Sequence, residues 1–403
     1  LLDYLSGLDG VKRVEAAGSY RRKKETVGDL DILVTHKKQT DVMKPFVEYE
    51  DVERVVSKGE TRSTVVLRFG VHVDLRAVPE ASYGAALHYF TGSQPHNIAI
   101  RKMGVKRGLK INEYGVFRHD KRIAGSTEDE VYSHVDLPYI EPELRENNGE
   151  IEAAQKGKLP ELVTLEDIRG DLHSHTEATD GRSSLEEMAK AAREKGYEYL
   201  AITEHSKHVT VAKGLDARRL GEQIEEIDRL NEKLDGIVLL KGIEVDILED
   251  GSLDLPHHIL KKLDLVVCAI HYKFNLPADK QTERIVKGID NPYFTILAHP
   301  TGRMIGEREP YALDMERLMK AAKETNCFLE INAQPDRLDL TEVYAKMAKE
   351  MGIMIAVSTD AHSVNELNFM RFGVYQARRG WLASENVLNT RSWKELKKLI
   401  GNK

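Results

Sequence analysis

Residues 167–403 alternate between short apolar, β-branched runs and amphipathic stretches of helical period. The runs are Asp171–His173, Tyr199–Thr203, Ile237–Val245, Leu265–Ile270, Phe294–Ala298, Cys327–Ile331 and Ile353–Val357. Between them, Ser183–Gly196 opens with serine followed by a glutamate capping pattern and stops at glycine. Asp216–Asp235, Leu313–Thr325 and Thr341–Gly352 have the same helical character. Strands alternating with helices predict parallel βα units, and seven such runs predict a barrel.

Residues 1–140 follow another rule. Arg13–Ala17, Leu30–Val34, Thr64–Phe69 and Val71–Ala77 read as strands, the last two flanking Phe69-Gly70 as a tight hairpin. This is an α+β pattern with an antiparallel sheet. Pro138–Glu166 has three prolines and seven acidic residues but little apolar periodicity, so it reads as a linker or extended strap. The expected second-domain start is near Thr164–Asp167. No internal repeat of fixed period is present.

Composition narrows the class. The chain has 403 residues, enough for two or three domains, with 31% charged and 41% hydrophobic residues, which suits a globular protein. No apolar run approaches the ~18 residues of a membrane span, and no basic-then-apolar leader opens the chain. Two cysteines, Cys268 and Cys327, sit in apolar runs and read as buried thiols of a reducing cytosol, not a disulfide scaffold. The expected location is therefore cytoplasmic. The first residue is Leu, so the sequence is read as a possible fragment.

Net charge is −7, but residues 1–140 hold 22 Lys+Arg against 20 Asp+Glu. Within Arg101–Arg122, eight basic residues accompany only Glu113 and Asp120. Arg101, Lys102, Lys106 and Arg107 are candidate contacts to a nucleic-acid backbone, against the alternative of a solvated face.

Histidines and acids cluster at strand exits in the second half. His173, His175 and Asp180 follow the first run, His205 the second and Glu244 lies in the third. His271, His299, and then Asp360 with His362, follow the fourth, fifth and seventh. In a parallel barrel these exits converge on one rim. Imidazole with carboxylate is a donor set for Zn, Mn or Fe. Nine ligands exceed one ion and suit two or three, with Glu244 the preferred bridge, in a site for metal-assisted phosphoester hydrolysis. Arg303 could hold a substrate phosphate or form a surface ion pair.

In the first half, Asp29 and Asp31 share one strand face, and Asp74 faces the same way in VHVDLRAV. Clustered carboxylates repel unless cations sit between them, and two Mg²⁺ ions would serve. The Gly18-Ser19 turn could receive a triphosphate.

The nine positions of the second half resemble the full metal signature of the polymerase and histidinol phosphatase (PHP) domain. That family is a distorted seven-stranded barrel with a trinuclear site. The resemblance places His173, His175, Glu244 and Asp360 on one ion, Glu244, His271 and His299 on the second, and Asp180, His205 and His362 on the third. GSYRR, GDLDILVTH, VDLRAV, YFTGSQPHNIAIR and INEYGVF resemble the palm and thumb of family X DNA polymerases. This implies catalytic Mg²⁺ on Asp29, Asp31 and Asp74, and triphosphate contacts from Ser19 and Arg22. Tyr89 and Phe90 would line sugar and base, with Asn97 and Arg101 near the nascent pair.

The resemblance implies a palm at 1–80, a thumb at 81–140, a linker at 141–166 and a PHP (β/α)7 barrel at 167–403. The expected protein is a monomeric, prokaryotic, nucleoid-associated repair polymerase. It would use dNTPs on primer-template or gapped DNA, with two palm Mg²⁺ ions and three Mn²⁺, Zn²⁺ or Fe²⁺ ions in the PHP site. That site would act as a 3′–5′ exonuclease or on blocked 3′ ends and abasic sites. Relatives carry an N-terminal lyase and fingers region, so lyase activity is not expected of this sequence. The rival expectations are a small-molecule phosphatase with a relic palm, and a PHP module whose metals are structural.

Overall fold

The computed structural model describes residues 1–38 and 40–401. Contacts divide the chain into two compact units, Leu1–Leu159 and Pro160–Lys403. Among the described residues, no helix is long and apolar enough to cross a membrane.

The first unit opens with a five-stranded sheet built from β1 (Val11–Ala16), β2 (Asp29–His36), β3 (Val52–Lys58), β4 (Arg62–Leu67) and β5 (His72–Ala77) in the order β1-β2-β5-β4-β3. The expectation of a wholly antiparallel sheet is corrected, because β2 and β5 run parallel at its centre. The chain leaves β2, passes through the helix Met43–Val47 and enters at the far edge as β3. The hairpin at Phe69-Gly70 then returns β5 alongside β2 in the same direction. Alternate residues Ile32, Val34, Val65, Val73 and Leu75 bury with Phe46 in one core. Edge strand β3 exposes nearly all of VERVVSK, and its charges disfavour pairing with another chain.

Next come the helices Tyr83–Thr91 and Gln94–Lys106 and an antiparallel sheet of β6 (Leu109–Asn112), β7 (Gly115–Arg118) and β8 (Lys121–Ala124). Gly104 lets helix and sheet approach closely, since a Cβ there would lie 2.8 Å from Ile111 Cδ1.

The segment expected as a linker is packed. It forms a 3₁₀ turn at Pro142–Leu144 and the helix Glu150–Gln155, and buries Ile140, Leu144, Arg145, Glu150 and Ile151. Arg145 and Glu150 face inward because each finds a partner, while Glu152, Lys156, Lys158 and Glu161 stay exposed. Arg145 donates to Glu128 at 2.6 Å and to the Ile140 carbonyl at 2.8 Å, and Glu150 meets His96 Nδ1 at 2.6 Å.

The second unit holds a parallel sheet of β9 (Gly170–Asp171), β10 (Tyr199–Ile202) and β11 (Val238–Lys241). A second parallel sheet comprises β12 (Glu244–Asp246), β13 (Val267–Ala269), β14 (Ile296–Leu297), β15 (Phe328–Asn332) and β16 (Ile355–Ser358). Isolated parallel bridges join Ser174 to Ala361, and His205, beyond β10, to Glu244 at the start of β12. The run expected as one strand, Ile237–Val245, is two. Gly242 marks the break, where a Cβ would lie 2.8 Å from Thr203 Cγ2. The intervening helices match the sequence pattern: Ser184 and Glu187 form a capping box on Leu185–Glu194, and Gly352, at φ 77°, ends Glu342–Met351.

Candidate metal centres

In the first unit, parallel register sets Asp31 of β2 opposite Asp74 of β5, and Asp29 opposite His72. Leu30, Ile32, Val73 and Leu75 take the core face, so the carboxylates lie on the other. Gly18, at φ +63°, touches this edge, because a Cβ on it would lie 2.9 Å from Asp31 Oδ2. Burial and the neighbouring Asp29 charge, reinforced by Asp74, push the Asp31 carboxyl up despite Arg76 and Arg62. Asp74 is the opposite case. Partial burial is outweighed by hydrogen bonds from Thr64 and Arg62 and by the Arg62 and Arg76 charges, which hold it below the usual carboxylate range. Arg62 approaches Asp74 to 2.7 Å and Arg76 to 3.3 Å. A cation at this face therefore competes with two arginines for Asp74.

Ser19 is half-buried on the short helix Gly18–Arg21. Arg22 donates to Glu146 at 3.0 Å and to the Thr91 carbonyl at 2.5 Å. Its neighbour Arg21 grips Glu128 and Thr91, a tie that the sequence reading missed. Tyr89 and Phe90 meet edge to face at 5.1 Å, and Arg76 lies over Phe90. Asn97 is buried and donates to the Tyr89 carbonyl. Arg101, Lys102 and Lys106 are exposed, whereas Arg107 is exposed but paired with Asp136 at 2.8 Å.

The second unit brings the nine expected ligands into one cluster, with five histidines against Glu244. Its Oε1 lies 2.9 Å from His299 Nε2 and 3.2 Å from His271 Nε2, and its Oε2 lies 2.8 Å from His205 Nδ1. His173 and His175 approach the same Oε2 at 3.6 and 3.7 Å. Asp360 Oδ1 stands 3.1 Å from His175 Nε2. Asp180 reaches His205 at 3.4 Å and His362 at 3.5 Å. Three groups of ligand atoms could each hold an ion: His175, Asp180, His205 and His362; His173, His175 and Asp360; and His205, Glu244 and His271. Among the described residues these are the only such groups, and Asp29, Asp31 and Asp74 do not form one.

The donor set fits metal. His173 Nε2, both nitrogens of His175, His205 Nδ1, Glu244 Oε2 and Asp360 Oδ1 are buried without a well-aligned hydrogen bond, although some of them stand close to one another. Buried polar atoms left in this state are costly unless something else binds them. Burial would lower His205, but the Glu244 and Asp180 charges push it up to about 10. Burial and the His205 ring push His175 down to about 3, so its imidazole is a neutral ligand.

Three positioning acids or amides escaped the sequence reading. Glu330 on β15, fully buried, takes His173 Nδ1 at 2.8 Å and the His299 backbone N–H at 2.8 Å. Asn332 donates to Glu330 at 3.2 Å and to Asp360 at 3.0 Å. Asp246 lies 3.4 Å from His271 Nδ1. Each holds a ligand from behind. The signal for Glu330 was present: a lone carboxylate inside the apolar run CFLEI needs a buried partner. For Arg303 the alternative of a surface ion pair is corrected. This arginine is buried and donates to the Leu338 carbonyl at 2.5 Å.

Family models match three segments: DNA polymerase beta palm over residues 3–74, DNA polymerase beta thumb over 86–146, and PHP domain over 171–334. The DNA polymerase/3′-5′ exonuclease PolX of Bacillus subtilis (strain 168) is 40% identical over 402 residues, 99% of this chain and 70% of the relative. A probable phosphatase of Thermoanaerobacter sp. (strain X514) is 34% identical over 231 residues, 55% of this chain and 89% of the relative. One from Caldanaerobacter subterraneus subsp. tengcongensis is 35% identical over 206 residues, 48% of this chain and 75% of the relative. A match at this identity over 99% of the chain and 70% of the relative, with palm, thumb and PHP models matching in turn along it, places the chain in the PolX group of family X DNA polymerases.

Proposed function

We propose that this chain both extends and trims DNA 3′ ends, using two separate metal-dependent sites. Residues 1–80 would serve as palm, 81–140 as thumb and 167–403 as the hydrolytic PHP domain. The two bridged parallel sheets of the second unit would form a distorted (β/α)7 barrel. The observation that carries the reading is the cluster of nine ligand side chains in which five histidines approach Glu244, and in which buried nitrogens and oxygens of His173, His175, His205, Glu244, His271 and Asp360 lack a well-aligned hydrogen-bond partner. The name of the Bacillus relative, which pairs polymerase with 3′-5′ exonuclease, supports both halves.

In the palm, Asp29, Asp31 and Asp74 would hold two Mg²⁺ ions. Ser19 and Arg22 would meet the dNTP triphosphate, with Gly18 giving the backbone room. Tyr89 and Phe90 would line the incoming nucleotide and Asn97 the base pair. Arg101, Lys102, Lys106 and Arg107 would track the DNA backbone. In the PHP site, three ions, Mn²⁺ or Zn²⁺/Fe²⁺, would share the nine ligands with Glu244 as bridge. When bound, such ions acidify water and neutralise phosphoryl charge. The chain's own part is to fix geometry: Glu330, Asn332 and Asp246 hold His173, Asp360 and His271. The substrate would be a gapped or 3′-ended DNA, bound by a cytoplasmic monomer.

The test is incubation of 5′-labelled primer-template with Mg²⁺, Mn²⁺ or Zn²⁺, with and without dNTPs. Extension with dNTPs and 3′ shortening without them are expected. The probable phosphatases among the relatives favour one second reading, a small-molecule monoesterase. Hydrolysis of small phosphate monoesters with DNA ends left untouched would establish it instead.

A further inference from the structure

Of the seven apolar runs in the second unit, only the sixth, now β15, supplies none of the nine ligands. The gap in the ring is not empty of chemistry. Beyond β15 the chain turns through Gln334–Leu338 beside a cavity of about 420 Å³. Its lining joins Asp180, Asp360 and His362 of the metal set to Gln334, Asp336 and Arg337.

We propose that Arg337 is the phosphate-holding cation of this site, its guanidinium taking the non-bridging oxygens of the phosphoester to be cleaved. This deepens the phosphoesterase reading above and rests on it. The Arg337 side chain is 19% exposed, and its Nε stands 3.9 Å from Asp360 Oδ2. That is close enough to belong to the site but beyond hydrogen-bond reach. Among the described residues its guanidinium makes no hydrogen bond to protein, so its donors face the cavity unspent. A planar guanidinium matches phosphate oxygens in pairs.

The loop that carries Arg337 is fixed from below. Gln334 Nε2 donates to the carbonyls of Thr359 at 3.0 Å and Asp360 at 2.8 Å. The Ala333 N–H donates to Ser358 at 2.7 Å, and the Ile305 N–H to Asp336 at 2.5 Å. Arg337 is thereby locked to the backbone of a metal ligand. The rival cations are less suited: Arg303 is buried against Leu338, and Arg182, 70% exposed, is paired with Glu366.

The test compares wild type, Arg337→Met and Arg337→Lys as full chains loaded with Mn²⁺. It measures metal content, kcat and KM on a labelled 3′ end, and binding of inorganic phosphate by calorimetry. Arg337→Met should keep its metal while KM and the phosphate Kd rise about 10- to 100-fold, the scale of a lost charge-assisted hydrogen bond. Arg337→Lys should recover part of the loss. Unchanged KM and phosphate Kd would overturn the assignment, and so would loss of metal, which makes Arg337 structural support. If wild type cleaves no phosphoester, the phosphoesterase reading falls. Phosphate binding still decides Arg337: weakened in Arg337→Met it stands, equal in both it falls.

Discussion

Glu330 shows how much one buried carboxylate can organise. It takes the outer nitrogen of His173 and the backbone of His299, so one side chain orients two ligands. An imidazole fixed in this way presents its other nitrogen to a metal in a set tautomer. Glu330→Gln should therefore weaken metal retention about 10- to 100-fold. Chelator competition followed by elemental analysis reads this directly, and unchanged retention would contradict it. The nine candidate ligands could be picked out because imidazoles recur at strand exits, a pattern no core requirement explains. Arg337 was not legible, since a lone arginine in a loop has no period and only the folded cavity distinguishes it from Arg303. The palm acids were legible by alternation, but not the engagement of Asp74 by Arg76, two residues along β5, and by Arg62, which reaches it from β4.

Among the elements, those with a strong period or a cap were readable from the chain, as at Ser184 and Gly352. The break at Gly242 was hidden because its flanks are equally apolar, and β3 was hidden because an edge strand need not bury a face. The packed segment 141–158 misled by its charge, because Arg145 pairs with Glu128 and Glu150 with His96. That cluster makes stability depend on pH. Burial opposes the Glu128 charge, but Arg145 and Arg21 hold its carboxyl down to about 2, against an ordinary 4.5. Its stabilising contribution is complete above pH 4.5 and is lost as pH falls towards 2, on the order of 3 kcal/mol in all. Thermal melts between pH 6 and pH 2 should show that acid loss, and Glu128→Gln should flatten it while lowering stability near neutrality. An unaltered acid limb in the variant would exclude Glu128 as its source. On the helix Gln94–Lys106, Lys102→Ala with Lys106→Ala should reduce the slope of log affinity against log salt by about 2. An unchanged slope would assign this face to solvent.

For the whole molecule, the two ligand sets share no residue and fall in different compact units. Hydrolytic and synthetic chemistry should thus be separable by substitution. Metal removal should act unequally as well. Chelation leaves the second unit with buried imidazoles and carboxylates lacking their ions, so its thermal transition should fall while that of the first unit stays nearly fixed. Calorimetry with and without chelator resolves this, and a uniform shift of both transitions would contradict it.

The central claim, two independent metal-dependent sites in one chain, is tested most directly by a reciprocal pair of variants on one labelled primer-template. Asp31→Asn should abolish extension with dNTPs yet leave Mn²⁺-dependent 3′ shortening near the wild-type rate. Glu244→Gln should do the reverse, losing shortening and bound metal while extension survives. If either substitution removes both activities from a folded protein, or neither removes any, the two-site account is wrong.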